Sequence, residues 1–467
     1  MTTVAVVGGG ITGLAAARRL VNAGHSVTVL EASPRWGGKL APLWLDDVRL
    51  DGGAESILAR RPEGPALLDD LGLAEQVVHP TAARPALLVG GQLRRMPRSV
   101  LGVPADLREL AELLSADGYR RASAEPAQPA PGLPDDLPIG TLVDDRFGPE
   151  VTDRLLEPLL GGVYAGDARE LSFEAIAPEL YARYRNGGSL LDHAAALTRP
   201  DDGRSVFAGL PGGVSGLVEV LVSDLQRRGV DLVTRNTVRS LERDRDRFRL
   251  TCGPVPVTRS IVADAVLLAA PAGPTGRLLA DLDTTGRDLA AVPYASVAIV
   301  TVVVRGLAER GSGVLVPPGE LPTVKALTYS GTKWAWVAER ATTAWGSGTE
   351  VVRLSIGRYG DAAVLQVDDA TLLRRTFAEA GRIPGWANAE LVAGAVTRWG
   401  GSLPQYRVGH HSLVSRLRDG LRSVPGLAVA GAAYDGVGIS ACIGSADAAV
   451  AKITRDLGPR GRGRIET

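Results

Sequence analysis

The chain has 467 residues, more than one compact core usually holds, so two or three domains are expected. Apolar residues make up 45% and charged residues 22% of the sequence, which excludes a disordered or fibrous chain. The 52 basic residues equal the 52 acidic ones, so no overall charge attracts nucleic acid or an anionic membrane surface.

The first thirty residues are predicted to form a strand, a glycine turn, a helix and a second strand. Apolar VAVV at 4–7 precedes GGGITG, helical spacing follows, and the apolar run VTVL ends at Leu30. No basic region precedes the first apolar run, so we interpret it as a strand and not as a signal peptide. The segment is therefore predicted to be a βαβ unit.

The turn of this unit has the spacing of a dinucleotide-binding site. Gly8 permits a tight turn, Gly10 lets the backbone approach a pyrophosphate, and Gly13 allows the helix to pack closely on the strand. The helix N-terminus faces the phosphate charge, and Glu31 at the end of the second strand is predicted to accept hydrogen bonds from a ribose diol. At this point the dinucleotide can be FAD or NAD.

Further along, residues 63–115 are predicted to be mostly helical, since PALLDDLGL and DLRELAELL carry apolar residues three and four apart. Residues 121–138, rich in Pro and Ala, are predicted to form a surface loop. Helical spacing resumes in VTDRLLEPLL, and from about residue 205 short strands alternate with helices. No apolar run reaches the roughly 20 residues of a membrane-spanning helix, so none is predicted.

A second glycine-rich turn lies near the end of the sequence. The segment VAGAAYDGVGISACIGSADAAVAKI predicts a strand, a turn at 436–439 and a helix of small residues, within a final strand and helix over 427–457. The N-terminus of such a helix stabilises negative charge, including that of a reduced flavin. Two turns at opposite ends of the chain predict a discontinuous cofactor domain.

Cysteine and histidine give no sign of a metal site or a nucleophile. Cys252 and Cys442 have no CxxC spacing and are predicted to be buried thiols. The five histidines are scattered, and we find neither a Ser-His-Asp order nor an HExxH motif. The pair His410 and His411 is predicted to pack and not to catalyse. No catalytic side chain and no metal ligand is therefore assigned.

The segment after Glu31, EASPRWGGKL, resembles the signature of FAD-containing oxidases, with Gly37 and Gly38 beside the cofactor and Lys39 or Arg35 supplying positive charge. Together with the first glycine turn, further segments extend the likeness along nearly the whole chain. They are DGGAESIL, LPRSVLGVP, EPLLGGVYAGDARELS, FAGLPGGVSGLVEVL, LPQYRVGHHSLV and DGVGISACIGSADAAV. The sequence thus resembles the protoporphyrinogen/coproporphyrinogen oxidase family, within the wider monoamine oxidase and phytoene desaturase class, and the implied cofactor is FAD.

The resemblance implies an α/β fold with α+β insertions: a discontinuous Rossmann-type FAD domain, a substrate domain on a mixed sheet, and a helical insert. The expected FAD domain comprises residues 1–85, 205–280 and 421–467. The expected substrate domain comprises 86–96, 166–204 and 281–420, and the expected helical insert comprises 97–165. The insert is short, proline-interrupted and not markedly apolar, so the membrane association of some members of the family is not expected here.

The resemblance also implies which residues contact FAD, and Trp399 or His411 is expected near the flavin. The implied contacts are Gly8, Gly9, Gly10, Ile11, Thr12, Gly13, Glu31, Ala32, Lys39, Gly53, Ala54, Glu55, Ser56, Val238, Val437, Gly438 and Ile439. A porphyrinogen carries propionates, so its pocket should present cations, and we predict that Arg60 and Arg61 bind them.

The implied reaction is the oxidation of a porphyrinogen to a porphyrin in haem biosynthesis, in three two-electron steps with molecular oxygen as acceptor and hydrogen peroxide as product. Coproporphyrinogen III is the preferred substrate: the Arg, Ala, Gly and Pro bias suggests a GC-rich bacterium, and non-membrane relatives of this kind in Gram-positive bacteria resemble coproporphyrinogen oxidases. A cytoplasmic enzyme is expected, with peripheral membrane association and transient contact with other haem-pathway enzymes left open.

Three alternatives also stay open. A protoporphyrinogen IX oxidase would share all of the segments. An amine oxidase or a carotenoid desaturase would share the FAD turns, although LPQYRVGH and VYAGDARELS fit these less well. A flavin-binding partner of another haem-pathway protein, without catalysis of its own, is the third.

Overall fold

The computed structural model describes residues 1–128, 132, 135–198, 205–308 and 311–458. One part of the fold is a five-stranded parallel sheet. Its strands, in spatial order, are Asp231–Val233, Ser26–Leu30, Thr3–Val7, Ala265–Leu268 and Leu427–Val429. The central strands are apolar almost throughout, because both faces of the sheet are covered.

Each face of this sheet carries a different layer. On one face pack the helices Ile11–Asn22, Gly216–Arg227 and Ile439–Leu457, with the helix Glu63–Asp70 against the last of these. On the opposite face pack the antiparallel strands Val238–Asp244, Arg247–Cys252 and Arg259–Ala263 and the helices Ala272–Leu279, Gly286–Ala290 and His410–Gly420. The predicted βαβ unit and the discontinuous Rossmann-type fold are confirmed.

The second sheet has seven strands and mixed orientation. Its order is Glu390–Pro404, Tyr294–Arg305, Thr349–Ile356, Val324–Tyr329, Gly313–Leu315, Pro85–Val89 and Gln92–Arg95. All neighbours are antiparallel except Gly313–Leu315 and Pro85–Val89. One face of the sheet is apolar and packs on the helix Asp369–Ala380. The other face is turned towards the Rossmann-type unit.

Two strands of this sheet correct a sequence prediction. Residues 63–115 are not mostly helical, because Pro85–Val89 and Gln92–Arg95 form a hairpin at the sheet edge. The hairpin turns at Gly90 and Gly91, whose φ angles of +61° and +71° suit the tight two-residue turns that twisted strands prefer. In DLRELAELL only Leu107–Leu110 forms a helical turn, and a new helix begins where Ser115 caps Gly118.

The helical part of the chain has its own core. Its helices are Ala116–Ser123, Ile139–Phe147, Pro149–Val151, Glu157–Val163, Phe173–Ile176, Pro178–Tyr184 and Leu190–Leu197. Between the third and fourth, Thr152–Leu156 form a π-helical turn just before Pro158, which has no N–H to donate to the preceding turn. We propose that the helical unit extends to 197, since the last three helices share this core.

The predicted surface loop over 121–138 is only partly correct. Its first residues complete the helix Ala116–Ser123, and Glu125 is fully buried. The carboxylate of Glu125 pairs with the Arg146 guanidinium at 2.7 Å and accepts the Leu190 amide at 2.8 Å. A buried carboxylate must be paired in this way, so this part of the segment belongs to the helical core. Residues 129–131, 133 and 134 lie outside the described residues.

Short elements connect these layers. They comprise the strand pairs Pro42–Leu45 with Val48–Asp51, Ile57–Leu58 with Phe207–Ala208, and Ser99–Val100 with Val103–Pro104. The remaining helices are Ser330–Lys333 and Ala335–Trp345, and helical turns occur at Ala74–Gln76, Glu125–Ala127, Ala363–Leu365 and Leu421–Ser423. Both cysteines are free and buried, as predicted. Among the described residues, no helix has the length and apolar character needed to cross a membrane.

Candidate functional site

The first glycine turn combines crowded positions with an open one. Gly8 has a φ of +113°, and a Cβ on it would lie 2.6 Å from the Ala269 carbonyl oxygen. A Cβ on Gly13 would collide with the Gly8 carbonyl, so the helix and strand can approach each other only with glycine there. Beside Gly10, in contrast, no heavy atom lies within 4 Å of a Cβ position. The turn therefore leaves space for a ligand in front of Gly10, at the start of the helix.

Glu31 is fixed beside this turn. Its carboxylate accepts the Gly9 amide at 2.7 Å with one oxygen and the Ser33 amide at 2.7 Å with the other. Each carboxylate oxygen can accept more than one hydrogen bond, so both keep capacity for a ribose diol. Ala32, the next residue, is exposed.

The chain after Glu31 returns to the glycine turn. The Gly37 amide donates to the Gly9 carbonyl at 2.8 Å, and Gly38 lies against Gly10. Both glycines have positive φ angles, +100° and +58°, which other residues rarely adopt. A segment that passes beside the cofactor, as predicted for Gly37 and Gly38, requires this close backbone approach.

Lys39 follows directly and is partly buried without a counterion. Its ammonium forms no ion pair within the described part of the chain, and burial lowers its pKa, which the neighbouring Cys442 thiol partly offsets. Cys442 belongs to the helix Ile439–Leu457, and burial raises the pKa of its thiol. An unpaired cation beside two helix N-termini suits a pyrophosphate.

A third glycine-rich segment, residues 51–56, lies between the two sheets. A Cβ on Gly53 would collide with the Lys39 carbonyl and lie 3.0 Å from the Trp399 ring. The Trp399 indole N–H donates to the Gly52 carbonyl at 3.0 Å. Trp399 thus lies against the predicted cofactor segment.

Asp51, at the start of this segment, is a supporting residue that the sequence analysis did not single out. Its buried carboxylate accepts the amides of Val214 and Ser215, both at 2.9 Å. Burial raises its pKa, although both amide bonds oppose this. Amides of the glycine-rich segment FAGLPGGVSG therefore bind the Asp51 carboxylate. An acidic residue in one glycine-rich segment and free amides in another were the signals in the sequence for this contact.

The Glu55 side chain points away from the first glycine turn. Its carboxylate pairs with the Lys333 ammonium at 2.5 Å and with the Arg353 guanidinium at 2.6 Å, and these cations hold its pKa far below the usual range despite burial. Arg353 also donates to the Gly53 carbonyl. Glu55 therefore attaches the glycine segment to the mixed sheet, and its backbone is the part left to contact a cofactor.

The second glycine turn is supported from outside by an aromatic pair. Tyr406 donates to the Ala432 carbonyl at 2.5 Å and accepts the Gly436 amide at 3.0 Å. His410 stacks on Tyr406 with ring centroids 4.2 Å apart, and its Nε2 bonds the Ala433 carbonyl at 2.9 Å. Burial lowers the pKa of His410 to about 4, so the ring is neutral at physiological pH and this nitrogen donates. The prediction that the histidine pair packs is therefore correct for His410 and wrong for His411, which is exposed. The support that Tyr406 gives to the turn was not predicted.

This second turn leaves the start of the last helix open. Gly436 has a φ of +119°, and no heavy atom lies within 4 Å of a Cβ position on Gly438, which begins the helix Ile439–Leu457. That helix packs on Ile11–Asn22 from the first turn. The structure therefore brings the two turns from opposite ends of the sequence together.

The positions of four other predicted residues do not by themselves indicate a contact with a cofactor or a substrate. Val238 lies partly buried at the start of its antiparallel strand, opposite Cys252. His411 is on the surface and pairs with Glu174 at 2.9 Å, next to the helical unit. Arg60 is exposed, whereas Arg61 pairs with Glu63 at 2.9 Å and faces Gly436, whose Cβ position is 4.0 Å away.

The mixed sheet has a partly exposed row on the face turned towards the glycine segments. Thr397, Ile299, Ser355 and Ala326 lie opposite one another on four adjacent strands, so they share one face. All four are partly exposed, although only the strand of Thr397 is at the edge of the sheet and the other three strands lie inside it. Thr397 also lies against Gly52. The row therefore forms a partly exposed surface that begins at the third glycine segment, and we call this surface the cavity floor.

Comparison with known proteins agrees with this arrangement. Residues 11–454 match the family described as flavin containing amine oxidoreductase. The chain is 36% identical to the coproporphyrinogen III oxidase of Mycobacterium tuberculosis over 461 residues, which cover 97% of each sequence. It is 30% identical to the protoporphyrinogen oxidase of Macaca fascicularis, over 95% of this chain and 96% of the relative.

A solved structure shows the same fold. A protein from Exiguobacterium sp. 255-15, with a proposed protoporphyrinogen oxidase activity, superposes with a TM-score of 0.82 and 29% identity. The match covers 98% of this chain and 99% of the other. The cofactor implied by the glycine turns is thus a flavin, FAD, as the sequence predicted.

Proposed function

The chain belongs to the family of flavin-containing amine oxidoreductases, and we propose that it is an FAD-dependent oxidase that converts coproporphyrinogen III to coproporphyrin III. The observation that carries the proposal is the broad cavity floor beside the glycine segments, with Arg353, paired with Glu55, at its near end and Lys325 at its far end. Such a surface suits a wide ring that carries carboxylates. The names of the relatives that cover nearly the whole chain support the same substrate class.

The reaction needs little acid-base catalysis from the protein. Bound FAD supplies the acceptor for two electrons and a proton in each of three steps. Over the three steps four hydrogens leave the methylene bridges and two leave pyrrole nitrogens. Three of the carbon hydrogens leave as hydrides, and the fourth carbon hydrogen and the two nitrogen hydrogens leave as protons. With oxygen as the final acceptor, the balance is one porphyrinogen and three O₂ giving one porphyrin and three H₂O₂. The chain's part is to hold the ring flat against the cavity floor and to exclude water from the reacting face.

For FAD we propose the contacts that the sequence predicted. Backbone groups of Gly8, Gly9, Gly10, Ile11, Thr12 and Gly13 and of Val437, Gly438 and Ile439 face the phosphates and the flavin. Glu31 takes the ribose, with Ala32 beside it, and Lys39 supplies the positive charge that its unpaired ammonium offers. The segment Gly53, Ala54, Glu55 and Ser56 lies along the flavin through its backbone, and Val238 contacts the adenine.

The substrate's propionates need cations. We propose that Arg60 and Arg61 bind them, as the sequence suggested. Arg60 has the exposure that such contact requires. Arg61 lies at the second glycine turn, so a contribution to FAD binding would be the competing result for this residue.

An aerobic assay of the purified holoenzyme tests the proposal. Coproporphyrinogen III, protoporphyrinogen IX and a primary amine are offered separately, and porphyrin fluorescence and peroxide are followed. Coproporphyrin formation with one peroxide per two-electron step supports the proposal. Protoporphyrin formation alone favours the second candidate, to which the macaque relative points. Amine oxidation alone, or no turnover at all, contradicts both.

The cytoplasmic location and transient contact with other haem-pathway enzymes stay part of this proposal. Fractionation of cells that express the chain tests the location. Recovery chiefly in the membrane pellet would contradict it.

A further inference from the structure

A buried charge cluster lies at the far end of the cavity floor from the glycine segments. Lys325 is the extra residue of a β-bulge between Val324 and Ala326, and it is only 3% exposed. Arg358 follows the neighbouring strand Thr349–Ile356. Glu157 begins the helix Glu157–Val163, which packs on the strand of Lys325. We call these three residues the Lys325 cluster.

Within the Lys325 cluster the single carboxylate is already occupied. One oxygen of Glu157 accepts the Ala168 amide at 2.8 Å, and the other lies 3.5 Å from Nη1 of Arg358. That Nη1 forms no hydrogen bond, whereas Nη2 of Arg358 donates to the Val316 carbonyl at 3.2 Å. The Lys325 ammonium has neither a hydrogen bond nor an ion pair in the described part of the chain. Two cations thus face one carboxylate, and the second cation is unpaired.

The Glu55 cluster at the near end has the same composition but is satisfied. There both cations touch the carboxylate, at 2.5 and 2.6 Å, and Arg353 also holds a carbonyl. In the Lys325 cluster, burial is the main cause that lowers the pKa of Lys325 to about 7 and raises that of Glu157 to about 7. A buried cation is costly unless a counterion accompanies it. Asp361 and Asp167 also act on Arg358 through charge, but Lys325 has no paired counterion in the described part of the chain.

The cluster borders the proposed substrate cavity. Ala326, next to Lys325, is the last member of the partly exposed row that begins at Thr397 beside Gly52. The row crosses three strand spacings, roughly 14 Å. Gly161 leaves room for the Arg358 guanidinium, since a Cβ there would lie 2.5 Å from Nη1. A wide ring placed over the floor would reach the cluster with a carboxylate at its edge.

We propose that Lys325 and Arg358 form a carboxylate-binding subsite for a propionate at the substrate edge farthest from the glycine segments, with Glu157 positioning Arg358. This inference rests on the proposed function, because it takes a porphyrinogen as the occupant. It assigns two substrate contacts that lie 264 or more residues from Arg60 and Arg61 in the sequence. The subsite favours a ring with more carboxylates over one with fewer.

The variants Lys325→Met and Arg358→Gln test the subsite. Each removes a charge and keeps most of the side-chain volume. Lys325→Arg keeps the charge, and Lys452→Met is the matched control, because Lys452 pairs with Asp456 on the last helix. The readouts are KM and kcat for coproporphyrinogen III and the Kd of coproporphyrin III for the holoenzyme, from quenching of porphyrin fluorescence. The tetramethyl ester of coproporphyrin III serves as the uncharged probe.

Loss of one charged hydrogen bond should raise KM and Kd roughly 10-fold to 100-fold, with kcat changed much less. The ester should bind the wild-type enzyme and the variants equally, and Lys325→Arg should recover most of the affinity. Unchanged Kd in both charge-removing variants, or an equal loss for the ester, overturns the subsite. If Lys325→Met does not retain FAD, Arg358→Gln decides alone by the same criteria.

The subsite and the function can fail separately. A wild-type enzyme that oxidises coproporphyrinogen III while both variants keep its KM and Kd retains the proposed function and loses the subsite. A wild-type enzyme that oxidises no porphyrinogen, but binds coproporphyrin III through Lys325 and Arg358, loses the function and retains the subsite.

Discussion

The carboxylate of Glu55 lies 2.6 Å from the guanidinium of Arg353, across the boundary between the Rossmann-type unit and the mixed sheet. Lys333 completes the contact at 2.5 Å, and all three side chains are less than one-fifth exposed. The glycine segment at residues 51–56 is thus held to the mixed sheet by charge. In the proposed holoenzyme, the position of the cofactor relative to the substrate depends on this contact.

Replacing Glu55 by Gln should destabilise the protein by about 3–5 kcal/mol, because two buried cations lose their counterion. Urea unfolding followed by release of FAD fluorescence measures the change. The control is Glu179→Gln, which removes the exposed pair with Arg183 and should cost about 0–1 kcal/mol. Equal stability of the two variants would contradict a structural role for the Glu55 contact.

Acid should weaken the same contact. The pKa of Glu55 is lower in the folded protein than in the unfolded chain, where it is near 4.3. Its stabilisation is therefore complete above that pH and is lost as the pH falls towards the folded value. Unfolding measured between pH 6 and pH 3 should show a smaller loss of stability in Glu55→Gln than in the wild type. Parallel curves would contradict this assignment.

Two alanine substitutions in the first glycine turn should change different properties, the stability of the apoprotein in one variant and the affinity for FAD in the other. Gly13→Ala collides with the Gly8 carbonyl and should destabilise the apoprotein by about 1–3 kcal/mol. Gly10→Ala meets no protein atom, so the apoprotein should keep its stability. If contact between the new methyl group and the pyrophosphate reduces the binding free energy by about 1.4 kcal/mol, FAD binds ~10-fold more weakly. Thermal unfolding without FAD and titration with FAD distinguish them, and full FAD affinity in Gly10→Ala would contradict the proposed contact.

Tyr406→Phe tests the support of the second glycine turn. The change keeps the ring that stacks on His410 but leaves the Gly436 amide without its acceptor and the Ala432 carbonyl without its donor. We expect a loss of about 1–3 kcal/mol in the free energy of unfolding and weaker FAD binding. Tyr119→Phe is the control, because that hydroxyl forms no hydrogen bond in the described part of the chain. Indistinguishable variants would show that the hydroxyl does not support the turn.

The roles proposed for Arg60 and Arg61 can be distinguished by measuring KM and FAD affinity separately in the two variants. Arg60→Ala should raise the KM for coproporphyrinogen III roughly 10-fold and leave FAD affinity unchanged. Arg61→Ala should raise KM as well, but weaker FAD binding with unchanged KM would place Arg61 in the cofactor site instead. Unchanged kinetics in both variants would remove both from the substrate site.

The sequence predicted the parts of the fold that depend on local patterns. The strand before Gly8, the helix after it and the last helix each have an uninterrupted periodicity, and the glycine spacing indicates a dinucleotide directly. The hairpin at Gly90 and Gly91 was missed, because PALLV and its neighbours fit a helix as well as a strand until the sheet is known. Glu125 was assigned to a surface loop because its partner Arg146 lies 21 residues away.

The supporting contacts of the site could not be predicted for the same reason. Tyr406 touches the glycine turn across 30 residues, and Glu55 reaches Arg353 across 298. Nothing in the spacing of such residues indicates contact, since it arises from how the two sheets pack. Lys325 is one of four lysines in an arginine-rich chain, and only the structure shows that it is buried at a bulge without an ion pair in the described part of the chain.

The central claim is that a porphyrinogen passes its electrons to the bound flavin, and anaerobic mixing tests it most directly. The holoenzyme is mixed with one equivalent of coproporphyrinogen III in the absence of oxygen, and the yellow flavin absorption is followed. The account predicts that the band bleaches within one turnover and returns when air is admitted, with peroxide formed. A band that persists with coproporphyrinogen III and with protoporphyrinogen IX, but bleaches with an amine, would contradict it.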